Sequence, residues 1–150
     1  MPTVTAVLET CLYADDLERT ARFYEDLFGF SLMDGDARLR AYGVAHGSVL
    51  LIFQRGATRE AVQTPGGVIP PHDGQGQLHI AFAIAAAEWD AWKKRLEERG
   101  VAVERIVKWP RGGQSLYFRD PDRNLVELAT PGLWKVYRTD YRSPAFDVAA

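Results

Sequence analysis

Two stretches of this chain, about 70 residues apart, follow one plan, and that repetition constrains the fold more than any single motif does. Residues 4–14 (VTAVLETCLYA) read as a strand, being β-branched, aromatic and mostly apolar. Asp15 and Asp16 offer a helix N-cap. Leu17, Ala21, Phe23, Tyr24, Leu27 and Phe28 then recur at helical spacing, and Gly29 closes the helix. Three shorter strands are expected at 30–33, 39–44 and 48–54, separated by turn signals at Gly35 and His46-Gly47. The pattern restarts at 78–84 (LHIAFAI), a strand. Residues 87–99 follow as an amphipathic helix with Trp89, Trp92 and Leu96 on one face, closed by Gly100. Strands are expected at 101–107, 114–119 and 124–129, with Asp120-Pro121-Asp122 turning between the last two. With Leu8-Glu9 aligned on Leu78-His79, Gly29 falls within one residue of Gly100 and Phe23 within one of Trp92. Each half therefore reads as one helix against four strands.

The chain has 150 residues, which suits one compact domain: module one at about 4–54, module two at about 78–130, and a tail at 131–150. Residues 55–77, with five glycines and three prolines, read as a long loop or linker, a kind of segment that is often functional. Hydrophobic residues at 47% allow an ordinary core without staples. Cys11 is the only cysteine, which excludes an internal disulfide and a cysteine-rich zinc site and favours a reducing compartment. The net charge of −2, with Lys and Arg scattered among Asp and Glu, leaves no basic stripe for nucleic acid. No stretch approaches the roughly 18 apolar residues of a membrane span, so a cytoplasmic protein is expected.

The stretch LYADDLERTARFYEDLFGF resembles the opening module of the glyoxalase / bleomycin resistance / extradiol dioxygenase superfamily, also called vicinal oxygen chelate. LYFRDPDRNLVELATP resembles that superfamily's closing motif, with Arg123 where it usually has glycine. With LHIAF, the resemblance covers roughly residues 5–130. It implies an α+β fold of two βαβββ modules whose curved mixed sheets enclose a shared cleft. In metal-using members the ligands come from the first and last strands of each module. That implies Glu9 from module one, where many members have His or Gln, and His79 and Glu127 from module two. Leu51 occupies the position where the glyoxalase subgroup has Glu, so the four-ligand pattern is incomplete. The resemblance also implies a homodimer, with the cleft made within one chain or from the modules of two.

Strand alternation bears on the same residues independently. Glu9, Cys11 and Tyr13 share one face of their strand, and His79, Ala81 and Ala83 share one face of theirs. Leu125 and Glu127 also share a face, so a carboxylate sits where an apolar side chain would pack, at a cost unless something compensates it. Taken singly, each has an ordinary explanation: a solvent-facing Glu9, an edge-strand Glu127, a core His79 satisfied by backbone. Taken jointly at the superfamily's ligand positions, they favour one divalent ion. One imidazole and two carboxylates suit Mn, Fe, Ni, Co or Zn, with positions left open for substrate.

His72, in the loop before His79, is either a fourth ligand, a general acid/base or a solvated loop residue. Trp109 is a candidate wall for an apolar pocket and Arg111 a candidate partner for a substrate anion. Gly112-Gly113 permits a sharp turn or a close backbone approach. Tyr13 is a further candidate for substrate contact, although core packing explains strand aromatics such as Tyr13, Tyr42, Phe53 and Tyr117 as well. His46 reads as a surface turn residue. Trp134 and Tyr137 read as tail anchors, with fraying from about Ser143.

The expected function is a metal-dependent enzyme acting on a small oxygenated molecule, with Glu9, Glu127 or His72 moving protons. Lyase or isomerase chemistry of the glyoxalase or epimerase kind comes first. Ring-cleaving dioxygenation ranks lower because a second histidine ligand is missing. The alternative is a non-catalytic protein that sequesters a drug, as the bleomycin-resistance relatives imply.

Overall fold

The computed structural model describes residues 1–45 and 47–135, so the expectations for His46, Tyr137 and the segment from Ser143 lie outside the described residues. The chain divides into two compact units, residues 1–76 and residues 77 onward.

In the first unit, β1 (Glu9–Ala14) is followed by α1 (Leu17–Phe28), β2 (Ser31–Gly35), β3 (Leu39–Ala45) and β4 (Ser48–Gln54). The four strands form one mixed sheet in the order β1-β4-β3-β2, with β1 parallel to β4 and the other pairs antiparallel. The helix starts where the Asp16 carboxylate accepts the Arg19 backbone N–H at 3.1 Å. It stops at Gly29, whose φ of +69° is left-handed and whose N–H bonds the Glu25 carbonyl at 2.8 Å. Leu17, Thr20, Ala21, Tyr24 and Leu27 form its buried stripe. The sheet meets it with Leu12, Ala14, Tyr42, Leu50 and Ile52, all buried. Tyr42 also donates to Glu25 Oε1 at 2.8 Å, and burial, then that carboxylate, pushes its hydroxyl above the ordinary tyrosine range.

The second unit repeats this plan. It contains β7 (His79–Ala83), a 3₁₀ turn (Ala86–Glu88), α2 (Trp89–Glu98), β8 (Arg105–Lys108), β9 (Gln114–Arg119) and β10 (Leu125–Ala129). Its sheet order, β7-β10-β9-β8, again has the first strand parallel to the last. Leu116, Phe118, Val126 and Leu128 are fully buried on one face, and Leu96 is the buried residue of α2. The repetition extends to register. Glu9, Cys11 and Tyr13 pair with Val49, Leu51 and Phe53, as His79, Ala81 and Ala83 pair with Leu125, Glu127 and Ala129. Glu9 is thereby the counterpart of His79, and Leu51 the counterpart of Glu127.

Three elements differ from the sequence-based expectation. The first strand begins at Glu9 rather than residue 4, because its partner β4 starts only at Ser48; beyond one bond from Val49 N to Leu8 O, residues 4–8 have no strand to pair with. Val4, Val7 and Leu8 are correspondingly exposed. The strand expected at 101–107 is confined to Arg105–Lys108, since Tyr117 is the last residue of β9 that it pairs with. The stretch 55–77 is not a plain loop: β5 (Val62–Thr64) and β6 (Gly67–Ile69) form a hairpin turned at Pro65-Gly66, with Thr64 Oγ1 bonding the Gly67 carbonyl at 2.8 Å. In the tail, Trp134 is exposed.

The β9–β10 turn explains how Arg123 replaces glycine. Asp120 Oδ1 accepts from the backbone of Asp122 and Asn124, each at 2.9 Å, and its Oδ2 accepts from Asn124 Nδ2 at 2.8 Å. This buried lattice holds Arg123 at a left-handed φ of +68°. Asn124 Oδ1 then accepts the Leu78 N–H at 2.9 Å, which ties the turn to the start of β7.

Arg119 makes a two-pronged contact with Glu104, at 2.8 and 3.3 Å. That hydrogen bond holds the Glu104 carboxyl below its ordinary range. In a ¹³C-detected titration Glu104 is expected to protonate at lower pH than a free glutamate, and Arg119→Ala to move it back toward the ordinary value. The folded state then binds fewer protons than the unfolded chain. The contribution to stability is present above the unfolded pKa and is lost as pH falls through the lowered one. Its size is small at this exposed position.

Candidate functional site

In each unit the candidate residues borne on the first and last strands lie on the face of the sheet opposite its apolar row. In the second unit that face is laid out by register: His79 beside Leu125 and Arg119, Ala81 beside Glu127 and Tyr117, and Ala83 beside Ala129 and Ser115. His79 and Glu127 come together here. Glu127 is 4% exposed, and its Oε2 lies 3.3 Å from His79 Nε2.

The protonation of His79 follows from its second contact. Its Nδ1 lies 3.0 Å from the Leu125 carbonyl, which can only accept, so Nδ1 carries the hydrogen. In the neutral ring Nε2 then presents a lone pair to a carboxylate oxygen that is also an acceptor. Two acceptors facing each other are satisfied by a proton or by a metal cation between them. Glu127 Oε1 is buried and has no hydrogen-bond partner, a cost that a native fold seldom leaves uncompensated. This donor set fits a cation. Within neither unit does a third His, Cys, Asp or Glu join the pair, among the described residues.

Tyr117 stands across from Glu127 on β9. Burial pushes its hydroxyl above the ordinary value; a hydrogen bond with Ser115 works against that shift, and the Glu127 charge and a hydrogen bond with that carboxylate add to it. Trp109 Nε1 donates to Ser115 Oγ at 2.8 Å, so the indole is tethered along the same face. Arg111 is exposed on the turn between β8 and β9. That turn is closed by bonds from Trp109 N to Gly113 O at 2.8 Å and from Gly112 N to Trp109 O at 2.9 Å.

In the first unit, Glu9 is exposed at the start of β1, beside Val49. Leu51 lies next to Cys11, whose thiol burial pushes above its ordinary value, with the Glu9 charge adding to the shift. Tyr13 and His72 come together at the other end of the strand. The Tyr13 hydroxyl is 2.5 Å from His72 Nδ1, and both rings meet Phe53, at centroid distances of 5.8 Å and 5.0 Å. His72 is held from both sides: its N–H donates to Thr58 O at 2.9 Å and its carbonyl accepts from Thr58 Oγ1 at 2.6 Å.

Thr58 and Ser115 carry no signal in the sequence, and Tyr117 reads there as a strand aromatic that core packing explains. Thr58 lies in a stretch without periodicity. Ser115 and Tyr117 alternate correctly for the site face, but only the pairing of β9 with β10 sets Tyr117 opposite Glu127.

Residues 6–128 match the sequence profile of the Glyoxalase/Bleomycin resistance protein/Dioxygenase superfamily, and the chain belongs to that superfamily. It is similar to the metallothiol transferase FosB of Staphylococcus epidermidis, at 29% identity over 85% of this chain and 82% of that protein. Among solved structures it is similar to the lactoylglutathione lyase of Agrobacterium tumefaciens, with a TM-score of 0.81 and 35% identity over 89% of this chain and 99% of that one. The fosfomycin resistance protein FosX of Listeria monocytogenes shares the fold, with a TM-score of 0.64 and 23% identity over 87% of this chain and 97% of that one.

Proposed function

We propose that this protein is a metal-dependent enzyme acting on a small oxygenated molecule, with Glu9, His79 and Glu127 holding one divalent ion of Mn, Fe, Ni, Co or Zn. One observation carries this reading: a buried carboxylate with an unpartnered oxygen, facing the lone pair of an imidazole whose other nitrogen is fixed to backbone. When bound, the ion would act as a Lewis acid toward adjacent substrate oxygens. Lyase or isomerase chemistry comes first, and thiol-dependent chemistry is supported by relatives named metallothiol transferase and lactoylglutathione lyase. Dioxygenation ranks lower.

The chain's own residues divide the remaining work. Glu127 and Glu9 supply negative charge and proton acceptors. The Tyr117 hydroxyl, kept protonated by its surroundings, is placed to donate to an oxygen beside Glu127. Trp109, held by Ser115, supplies an apolar wall, and Arg111 a cation for an anionic group. His72 and Tyr13 contribute from the first unit. The same proposal takes the protein as a cytoplasmic homodimer.

A second reading, non-catalytic capture of a cationic drug, draws on the same orphaned carboxylate oxygen, which a ligand cation would also satisfy. Metal analysis of untagged protein purified without chelators separates the two. Retained divalent ion is expected, lost in both His79→Ala and Glu127→Ala. Less than about a tenth of an ion per chain, with none taken up on titration, would sink the enzyme.

A further inference from the structure

The short contact between Tyr13 and His72 determines which nitrogen of His72 faces outward as a donor. Tyr13 is 5% exposed, and His72 Nδ1 is the one hydrogen-bond partner of its hydroxyl among the described residues. One hydrogen lies between the two atoms. If it belonged to Nδ1, the buried phenol would need a second acceptor for its own proton, and no described residue offers one. The phenol is therefore the donor and Nδ1 the acceptor. In the neutral ring the proton then sits on Nε2, and in the imidazolium Nε2 carries one as well. Nε2 never presents a free lone pair.

The backbone around this imidazole is braced. Thr58 bonds both the N–H and the carbonyl of His72. Arg59 Nε bonds Asp73 Oδ2 at 2.9 Å, and the Gly74 carbonyl accepts from Arg55 at 3.0 Å. Gly74 lies so close to Tyr13 that a Cβ there would stand 2.3 Å from two of its ring carbons, so the segment is pressed onto the phenol. The imidazole stands edge-on to Tyr13 at 67° and to Phe53 at 75°. His72 itself is exposed. A tethered N–H at an apolar rim suits a ligand oxygen that bears charge, because such bonds are the stronger ones.

We infer that His72 is a fixed hydrogen-bond donor that binds an oxyanion of the substrate through Nε2, and that Tyr13 is the positioning residue that fixes its tautomer. His72 is then neither a general base nor a metal ligand through that nitrogen, and Tyr13 does not itself touch substrate. The substrate class narrows to small molecules carrying a carboxylate or phosphate-like group. The donor assignment stands on the first unit alone, whereas its use on a substrate rests on the function proposed above.

Long-range ¹H–¹⁵N spectra of the full chain test the assignment directly. The Nε2–H tautomer is expected for His72 at a pH where the ring is neutral. Tyr13→Phe, which keeps the aromatic ring and removes only the O–H, is expected to erase that preference. A dominant Nδ1–H tautomer, or no change in Tyr13→Phe, overturns it. Inorganic phosphate and acetate, titrated while the His72 Nε2 resonance is followed, test the binding role. His72→Ala is expected to weaken phosphate or acetate binding about tenfold or more. His72→Gln, whose amide nitrogen reaches a similar place, should restore most of it. Unchanged affinity in His72→Ala, or no binding of either anion to wild type, overturns the oxyanion role. Loss of metal binding by the protein would defeat the enzyme proposal and leave these results untouched.

Discussion

Glu127→Leu is expected to make the metal-free protein more stable while abolishing its stabilisation by divalent ions. The carboxylate is buried, one of its oxygens has no partner, and its contact with His79 reaches a side chain that is half exposed. Leaving such an oxygen unsatisfied costs about 1–3 kcal/mol, whereas a pair with a half-exposed partner returns no more than about 1 kcal/mol. Leucine, of similar volume, removes the first quantity and forfeits the second. A net gain of up to about 2 kcal/mol should raise the melting temperature of chelated protein by up to a few degrees. The wild type should respond oppositely to metal. An ion at 100 times its Kd adds about 2.7 kcal/mol to a chain that binds it only when folded. The variant should show no such response. Thermal denaturation of both proteins, with chelator and then with Mn, Fe, Ni, Co or Zn, checks the prediction. If the chelated variant melts below chelated wild type, the carboxylate is structural rather than held in readiness for a cation.

Gly132→Ala should produce a large loss of stability. Gly132 has a φ of +104°, and a Cβ there would stand 2.6 Å from Gly113 N and 2.8 Å from Arg111 O. Both obstacles are backbone atoms, which no rotamer change can move. Nor can the two strands part easily: Gln114 N donates to Thr130 Oγ1 at 2.8 Å and Thr130 N to Gln114 O at 2.9 Å. Strained backbone and the clash together should cost about 3 kcal/mol, with a melting temperature lower by roughly 6–12 °C. The Trp109 indole, bonded to Ser115 two residues beyond Gly113, should change its fluorescence as the turn moves. Gly112→Ala is the control. Its φ of +90° is also left-handed, but a Cβ there meets nothing within 4 Å, so it should lose only about 1–2 kcal/mol. Equal losses at both positions would show that the close approach of the two backbones is not what the glycines serve.

The two Glu127 effects and the Gly132 effect differ in how far the sequence alone announces them. Glu127 is conspicuous as a carboxylate at a strand position sharing a face with Leu125, so a compensated charge is readable from alternation. Its lack of a partner on Oε1 is not, because that depends on what β7 and β9 place around it. Gly112-Gly113 announces a turn, but nothing local connects Gly113 with Gly132, which lies beyond an entire hairpin. The hairpin at Val62–Thr64 and Gly67–Ile69 was likewise hidden in a glycine- and proline-rich stretch whose strands are three residues long, too short for a period to register.

By itself the sequence determined the twofold use of one plan, strand, helix and then three strands, and the start and stop residues of α1. These are short-range matters: Asp16 caps α1 through a bond to Arg19, and Gly29 ends it through a bond to Glu25, both within a turn of the helix. Period and capping are encoded in neighbouring residues, and the family resemblance is carried by the motifs at 12–30 and 116–131. The tertiary structure alone decided which chemistry-bearing groups meet. His79 finds the Leu125 carbonyl 46 residues away, and Tyr13 finds His72 across 59. Such meetings are set by strand register and by where a strap is tied down. A residue's type states what it can donate or accept; only the fold states which partner it has and which atom is left without one.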